Sequence, residues 1–319
     1  MSDFSAYPRW HDVPLEHWEA WNRIFGASQE GLDLATPCPV CAVPALRQWY
    51  MVGRLQETVL RGQRFIARGS VWTWCSHCHT YAHYSGLVPE WWSSDLDVNT
   101  DTLGHQPTAI EEARLAREYR IPGAADAAEK DARSLPAGDE RTERFTELAM
   151  ALATAGDRQR AAALARSLDR PSAKALTLCG VATRLMRQGE MALATGLLRE
   201  AEAAAHTIEA SCHRAAALDQ LAQTYRMMEA RDEAVRIWTH AIAVALSGEN
   251  HAAAEEDRRC SRVVRDSARG LALLGEIATA RGIARAIQNK QEREQALNDI
   301  GRVVRERRHG SASGITSAE

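Results

Sequence analysis

Two Cys-x-x-Cys pairs constrain the fold more than any other feature of this chain. The first pair is Cys38 and Cys41, and the second pair, Cys75 and Cys78, follows after 33 intervening residues. A tight turn of this kind directs two sulfur atoms at one ion, and two such turns complete the tetrahedral shell that zinc prefers. Four protein ligands leave no open coordination position, so the spacing predicts one structural Zn²⁺ ion, which would contribute about 10 kcal/mol to folding.

Other uses of these cysteines remain open. A redox-active pair of this type normally lies between a strand and a helix, and no such pattern surrounds it here. Disulfides would require an oxidising compartment. One of His77, His79 and His83 could replace a thiolate ligand, although these side chains are also compatible with solvent contact or with hydrogen bonds to the ligands.

Short β-strands are predicted around the two cysteine pairs. The segments rich in aromatic and β-branched residues are 46–51, 65–67, 70–74 and 81–84. The order of cysteine turn, hairpin, cysteine turn and strand over residues 36–92 resembles the zinc-ribbon family, which implies a small metal-stabilised β-module. The family often has glycine directly after the first pair, where the backbone needs a positive φ angle. This chain has Ala42 there, so we expect a strained or differently shaped first turn.

The charge of this module makes nucleic acid a secondary candidate partner. Residues 1–104 contain 7 arginines, no lysine and 11 acidic residues, whereas phosphate binding depends on clustered positive charge. Clustered basic residues occur only on the predicted hairpin, and they are Arg47, Arg54, Arg61, Arg64 and Arg68.

The composition changes near residue 105 and predicts the domain organisation. Eight of the nine tryptophans precede residue 93, and the chain from Ala109 onward is rich in alanine, leucine, arginine and glutamate. Thr108 and Glu111 have the spacing of a capping box, which predicts a helix beginning at Ala109. We predict four parts: a helix plus zinc ribbon (1–104), a helical connector and linker (105–140), helical repeats (141–306) and a disordered tail (307–319).

Four short turns divide the C-terminal half into matching helix pairs. The turns begin at Gly156, Gly189, Ala230 and Gly275. A small residue lies seven or eight positions before each turn and another follows it, which would let the two helices of a pair approach closely. These small residues are Ala149, Ala182, Ala222 and Ala268 before the turns, and Ala161, Ala194, Ala234 and Ala280 after them.

This pattern resembles the tetratricopeptide (TPR) repeat. The best match places Leu218, Ala222, Tyr225, Ala234 and Trp238 at the family's large, small, aromatic, small and aromatic positions. The resemblance implies a mainly α fold, a TPR-like α-solenoid with a small N-terminal β zinc-ribbon module. Stacked hairpins of this kind bind peptides or protein surfaces in a groove.

In the TPR family, positions of the first helices that do not serve packing line the ligand groove. Transferred to this sequence, these positions are Arg187, Asp219, Gln223, Arg226, Arg265, Arg269, Arg302 and Arg305. Six arginines on one surface would favour an acidic peptide or a carboxylate terminus. The alternative interpretation is that they are solvated side chains paired with acidic residues four positions away.

The remaining cysteines bear on the cellular location. Cys179, Cys212 and Cys260 are single, and we expect small hydrophobic residues at helix interfaces. The odd cysteine number and the absence of a signal-like N-terminus predict a reducing, cytoplasmic location. No segment has the apolar length of a membrane span, so no membrane partner is expected.

The sequence predicts binding rather than catalysis. It contains no G-x-S-x-G, P-loop, H-E-x-x-H or G-x-G-x-x-G motif. Only 3 lysines accompany 36 arginines, a bias that we attribute to a GC-rich bacterial genome. We therefore predict a non-enzymatic bacterial adaptor for a protein or peptide partner, with no prediction of its oligomeric state. A nucleic-acid-associated regulator using the zinc ribbon and a toxin-neutralising immunity-type protein are the alternatives.

Overall fold

The structure is a computed structural model that describes residues 10–60, 62–247 and 254–313. Contacts among these residues divide the chain into two compact units, residues 10–157 and residues 158–313. Twelve α-helices and five β-strands lie within the described ranges.

The first unit combines a five-stranded sheet with four α-helices. Its strands are β1 (His11–Asp12), β2 (Asp33–Leu34), β3 (Leu46–Leu60), β4 (Gln63–Cys75) and β5 (Thr80–Pro89), and its helices are α1 (Trp18–Ala27), α2 (Thr108–Tyr119), α3 (Ala124–Ser134) and α4 (Asp139–Ala155). The strand order is β1-β5-β4-β3-β2. Strand β4 pairs antiparallel with both β3 and β5, whereas β1 runs parallel to β5. Each predicted strand segment lies inside β3, β4 or β5.

Tryptophan side chains fill the interior of this unit. Trp74 and Trp21 are almost completely buried, in two separate hydrophobic clusters. Trp74 belongs to a cluster with Trp49, Trp72 and Ile110, whereas Trp21 packs with Leu46 and the cysteine turns. The Trp21 indole also donates a hydrogen bond to Thr73 Oγ1 at 3.0 Å, which fixes α1 against β4.

The start of α2 differs from the sequence prediction. The helix begins at Thr108, and its N-cap residue, Pro107, makes no side-chain cap. The Glu111 side chain points into the protein instead, where its carboxylate accepts hydrogen bonds from Trp74 and Ser76. The capping-box interpretation is therefore wrong, because this carboxylate has buried partners that are distant in sequence.

The second unit consists of eight helices. They are α5 (Arg158–Arg166), α6 (Pro171–Arg187), α7 (Met191–His206), α8 (Ser211–Met227), α9 (Arg231–Ser247), α10 (Ala254–Leu273), α11 (Ile277–Ala286) and α12 (Lys290–Ser313). The pairs α6/α7, α8/α9 and α10/α11 form helical hairpins. The first helices also contact each other in sequence, α6 with α8, α8 with α10 and α10 with α12. Neighbouring hairpins are also joined by contacts of α7 with α8 and of α9 with α10.

The positions of two helices differ from the predicted domain organisation. Helix α4, assigned from sequence to the first repeat, packs against α2 and α3 in the first unit. Helix α12 continues to Ser313, through the first half of the segment predicted to be disordered. Residues 314–319 of that segment lie outside the described residues.

The small residues of the repeat pattern are fully buried, as expected of residues at helix interfaces. The following alanines are all fully buried: Ala149, Ala161, Ala182, Ala194, Ala222, Ala234, Ala268 and Ala280. A larger side chain at any of these positions would push two helices apart.

The turns that follow α4, α6, α8 and α10 share one backbone conformation. Each contains one residue with positive φ: Gly156 (97°), Gly189 (83°), Glu229 (59°) and Gly275 (96°). The next residue donates its N–H to the carbonyl five positions back, as Glu190 does to Leu185 and Ala230 does to Tyr225. Such helix ends favour glycine because a Cβ atom is strained at positive φ.

Replacing Glu229 with glycine is expected to stabilise the second unit. Its carboxylate makes no described contact, and removing a side chain from the left-handed conformation relieves about 1 kcal/mol. Urea denaturation should show a higher unfolding free energy for Glu229→Gly and a lower one for the matched Gly189→Ala variant. A loss of stability in Glu229→Gly would contradict the assigned turn.

Cys212 and Cys260 form a disulfide that the sequence analysis did not predict. The bond joins the first turn of α8 to α10, with Cα atoms 5.1 Å apart and a sequence separation of 48 residues. The prediction that these two cysteines are merely small hydrophobic residues is wrong. It is confirmed for Cys179, which is a free, buried thiol.

Removing this disulfide is expected to destabilise the second unit. Closing a loop of this length lowers the entropy of the unfolded chain and stabilises the fold by about 4 kcal/mol. Denaturation of the double variant Cys212→Ala/Cys260→Ala should show that loss, and a thiol reductant should lower the stability of the native chain but not of the variant. The control Cys179→Ala should retain the response to reductant. A native chain that is insensitive to reductant would refute the disulfide.

Candidate metal centre

The four cysteines of the two pairs come together in the first unit. All four sulfur atoms lie within 4.8 Å of one another. Cys38 Sγ is 3.8 Å from Cys78 Sγ, and Cys41 Sγ is 3.7 Å from Cys75 Sγ. Sulfur atoms bound at about 2.3 Å to one tetrahedral zinc ion lie about 3.8 Å apart. The cluster therefore has the size of a metal-binding site, and it is the only such group of histidine, cysteine or acidic residues in the described ranges.

The two cysteine turns have the same backbone geometry. The N–H of Ala42 donates to the carbonyl of Cys38 at 2.8 Å, and the N–H of His79 donates to that of Cys75 at 3.0 Å. Ala42 has a φ angle of 62° and His79 has one of 57°. Ala42 thus adopts the left-handed conformation that glycine takes most readily. Two strained residues cost about 2 kcal/mol or more, which a bound metal ion would offset.

The thiols of the cluster differ in acidity because they are buried and hydrogen-bonded. Burial raises the pKa of Cys38 to about 11. The hydrogen bond between Cys75 and Cys78 raises the pKa of Cys75 and lowers the pKa of Cys78 to about 4. Thr80 Oγ1, 3.2 Å from Cys78 Sγ, also favours the Cys78 thiolate. A metal ion that replaces the shared protons would convert all four groups to thiolates.

Two helices hold the second cysteine turn through residues that are not cysteines. Ser76 Oγ donates to the Glu111 carboxylate of α2 at 3.1 Å. His79 Nε2 lies 3.3 Å from Glu147 Oε1 of α4, and its ring packs edge-on against Trp10. Order in the metal centre is therefore linked to the positions of α2 and α4.

The three histidines that were candidate ligands lie elsewhere. His77 is exposed, and His79 contacts Glu147. His83 stacks on Trp72 at a ring distance of 4.4 Å and places its Nδ1 3.1 Å from Nδ1 of His105. The described cluster therefore contains cysteine ligands alone.

The predicted groove residues of the second unit differ in their availability. Arg187, Arg269 and Arg305 are exposed and Arg226 is half-buried, and none of the four makes an ion pair within the described ranges. Two others are paired. Arg265 contacts Asp266 and Glu292, at 2.9 and 2.7 Å, and Arg302 contacts Asp299 at 2.7 Å.

Asp219 differs from the prediction because it faces the interior, and the half-buried Gln223 is hydrogen-bonded to it. Asp219 is only 8% exposed. Its Oδ1 atom accepts hydrogen bonds from Trp238 at 2.9 Å and Ser267 at 2.7 Å, and Oδ2 accepts from Gln223 at 2.7 Å. Burial raises the pKa of Asp219, and these three hydrogen bonds oppose that shift. The carboxylate joins α8, α9 and α10 and is not available to a partner.

The arginines of the predicted hairpin include both paired and unpaired side chains. Arg47 pairs with Asp33 at 2.6 Å and Arg64 pairs with Glu90 at 3.2 Å. Arg54 and Arg68 are exposed without an ion pair to another described residue, and Arg61 lies outside the described residues. Half of the described basic charge on the hairpin is therefore neutralised.

Comparisons with known proteins give only weak similarities. No protein-family model and no curated protein matches the chain. The solved structure of Ton1535 from Thermococcus onnurineus NA1 aligns with 61% of this chain at 15% identity and a TM-score of 0.43, and the alignment spans 58% of Ton1535.

Two further similar structures are described as containing TPR-like repeats. A putative kinesin light chain from Podosopora anserina aligns with 64% of this chain and 98% of its own length, at 20% identity and a TM-score of 0.32. A point variant of that kinesin light chain aligns with 65% of this chain and 99% of its own length, at 20% identity and a TM-score of 0.33. These values establish neither the fold nor the function of this chain.

None of the helices in the described ranges combines the length and the apolar character needed to cross a bilayer.

Metal removal is expected to disorder α2 and α4 together with the sheet. The chain purified without chelator should contain one zinc ion, measured by plasma mass spectrometry, because its ligand atoms have the spacing of a ZnS₄ shell. Chelation should then accelerate amide exchange in residues 108–119 and 139–155, which Ser76 and His79 connect to the site, but not in residues 171–247.

Two variants distinguish the cysteines that bind the metal from the other thiols of the chain. Cys78→Ser should lose the metal, whereas Cys179→Ser should retain it. Metal-free native protein, or exchange that is unchanged by chelation, would contradict the assignment.

Proposed function

We propose that this chain is a non-enzymatic bacterial adaptor that binds an acidic protein segment. In this proposal, the second unit is a TPR-like solenoid whose first helices line the binding groove. The first unit is a zinc ribbon that has a structural role or provides a second contact with the partner.

The observation that carries this proposal is the distribution of unpaired arginines. Arg187 lies on α6, Arg226 on α8, Arg269 on α10 and Arg305 on α12, so each of the connected first helices carries one. None is neutralised by a described acidic side chain. Guanidinium groups bind carboxylates through paired, charge-assisted hydrogen bonds. A succession of them supports binding of a segment with several carboxylates.

The cysteine cluster supports a structural role for zinc. Four thiolates match zinc in ligand type and fill its tetrahedral shell, so no position remains for a substrate or a reactive water. We therefore propose that the metal stabilises the fold and that binding, not catalysis, is the activity.

We also propose a cytoplasmic location, because a zinc–thiolate centre persists under reducing conditions. The Cys212–Cys260 disulfide argues in the opposite direction, since disulfides are rare in that compartment. Alkylation of thiols in intact cells, followed by mass spectrometry, decides between a reducing and an oxidising location. Modified Cys212 and Cys260 would support the proposal, and an intact disulfide would contradict it.

Peptide binding by arginine variants tests the adaptor proposal. The probes are labelled decapeptides with a free C-terminus that are rich in aspartate and glutamate. Their binding is measured by fluorescence polarisation and compared with that of amide peptides, in which asparagine and glutamine replace aspartate and glutamate. Arg187→Gln/Arg226→Gln is expected to weaken binding of the acidic peptides about tenfold, the size of two partly exposed ion pairs. The matched control is Arg281→Gln/Arg285→Gln, which changes two exposed arginines of a second helix, α11.

Equal effects of the two double variants, or equal affinity for acidic and amide peptides, would contradict the proposed groove. Binding of a single-stranded oligonucleotide that is lost in Arg54→Gln/Arg68→Gln would instead favour the nucleic-acid alternative. That alternative is supported by the exposed, unpaired arginines of the hairpin.

A further inference from the structure

The first unit contains a cavity that the proposed function does not use. Its volume is about 390 Å³, and it lies between the second cysteine turn, α2, α3 and α4. Cavities of this size hold small molecules. Apolar side chains, including Leu115 and Leu148, line part of it, and polar or charged groups line the remainder.

Two arginines along the cavity, the largely buried Arg114 and the partly exposed Arg144, pair with carboxylates. Arg114 donates to Glu111 through Nε at 3.1 Å and Nη2 at 2.8 Å, and to Glu118 through Nη1 at 2.8 Å. Arg144 Nη1 donates to Glu147 Oε2 at 3.1 Å. Each of the three guanidinium nitrogen atoms of Arg114 therefore donates to a carboxylate.

Two further carboxylates on the cavity wall have no such partner. Asp131 on α3 and Glu140 on α4 are exposed, and neither makes an ion pair with another described residue. The lining residues comprise four acidic side chains and two arginines, which leaves an excess of two negative charges.

Tyr119 supplies an aromatic wall with an unused hydroxyl group. The ring is half-buried, and the hydroxyl makes no hydrogen bond within the described residues. Burial raises the pKa of Tyr119 to about 12, and the charges of Glu118 and Glu147 add to that shift against the opposing arginines.

We propose that this cavity binds a small organic cation, a primary ammonium or guanidinium group on a short apolar body. Asp131 and Glu140 would neutralise its charge, and Tyr119 would present its ring face or accept a hydrogen bond from the cation. Aromatic rings and carboxylates are the groups that recognise such cations in proteins. An anion would instead face four carboxylates, and Arg114 already directs all three of its nitrogen atoms at carboxylates.

Calorimetric titration of the full chain, purified with its metal, tests this inference. The cationic probes are benzylammonium and butylguanidinium chloride, and the anionic probes are benzoate and butyl phosphate. We expect saturable binding of a cationic probe and none of the anions. Asp131→Asn/Glu140→Gln should weaken that binding about fivefold to tenfold, the effect of losing two partly exposed ion pairs.

Two controls distinguish binding in the cavity from general attraction of cations. Glu16→Gln/Asp97→Asn removes the same charge from exposed positions of the same unit and should leave the affinity unchanged. Ala128→Trp fills the cavity from α3 and should abolish binding. Unchanged far-ultraviolet circular dichroism would show that this variant still folds.

Each remaining outcome overturns the inference. Binding of the anions alone, no saturable binding of either cation, or equal weakening by the two double variants would show that the cavity is not a cation site. Because Asp131 and Glu140 are exposed, their substitution does not threaten the fold, so the test stands even where Ala128→Trp fails to fold.

Discussion

The buried Glu111 carboxylate is the interaction on which the first unit depends. Burial by itself would raise its pKa, but Arg114, Trp74 and Ser76 outweigh burial and hold the pKa below its usual range. A buried charge is tolerated only where such partners surround it, since an unpaired one costs several kcal/mol. Those partners come from β4, from the second cysteine turn and from α2. The charge can therefore be satisfied only when all three elements are in place.

A second buried carboxylate, Asp219, has the corresponding role in the helical unit. Its hydrogen bonds orient Trp238, whose ring lies directly against the backbone of α10. A Cβ atom added to Gly270 would be 2.3 Å from Trp238 Cζ2, closer than atoms can approach. The Asp219 network and Gly270 thus define how closely α9 packs against α10. In both units a polar group fixes a geometry that the surrounding hydrophobic side chains fill.

Local patterns in the sequence predicted much of the fold, and distant contacts account for what they missed. The cysteine cluster and the buried alanines were predicted because each leaves a repeated motif in the sequence, two Cys-x-x-Cys pairs in one case and small residues at matching positions around four turns in the other. Glu111 and Cys212 were not, since their partners lie 35 to 48 residues away and no repeated motif marks them. Asp219 was misassigned for a related reason. A polar residue on a helix carries no local sign of whether it faces solvent or another helix.

The disulfide between α8 and α10 makes the intervening chain a closed covalent ring that contains the whole α8/α9 hairpin. A protease that cuts the backbone once inside this ring leaves a single disulfide-linked molecule, heavier than the intact chain only by the water added in hydrolysis. The two fragments remain tethered beside each other, so their helices can pair again without a search through solution. Backbone continuity and the integrity of the hairpin stack are therefore separate properties in this part of the protein.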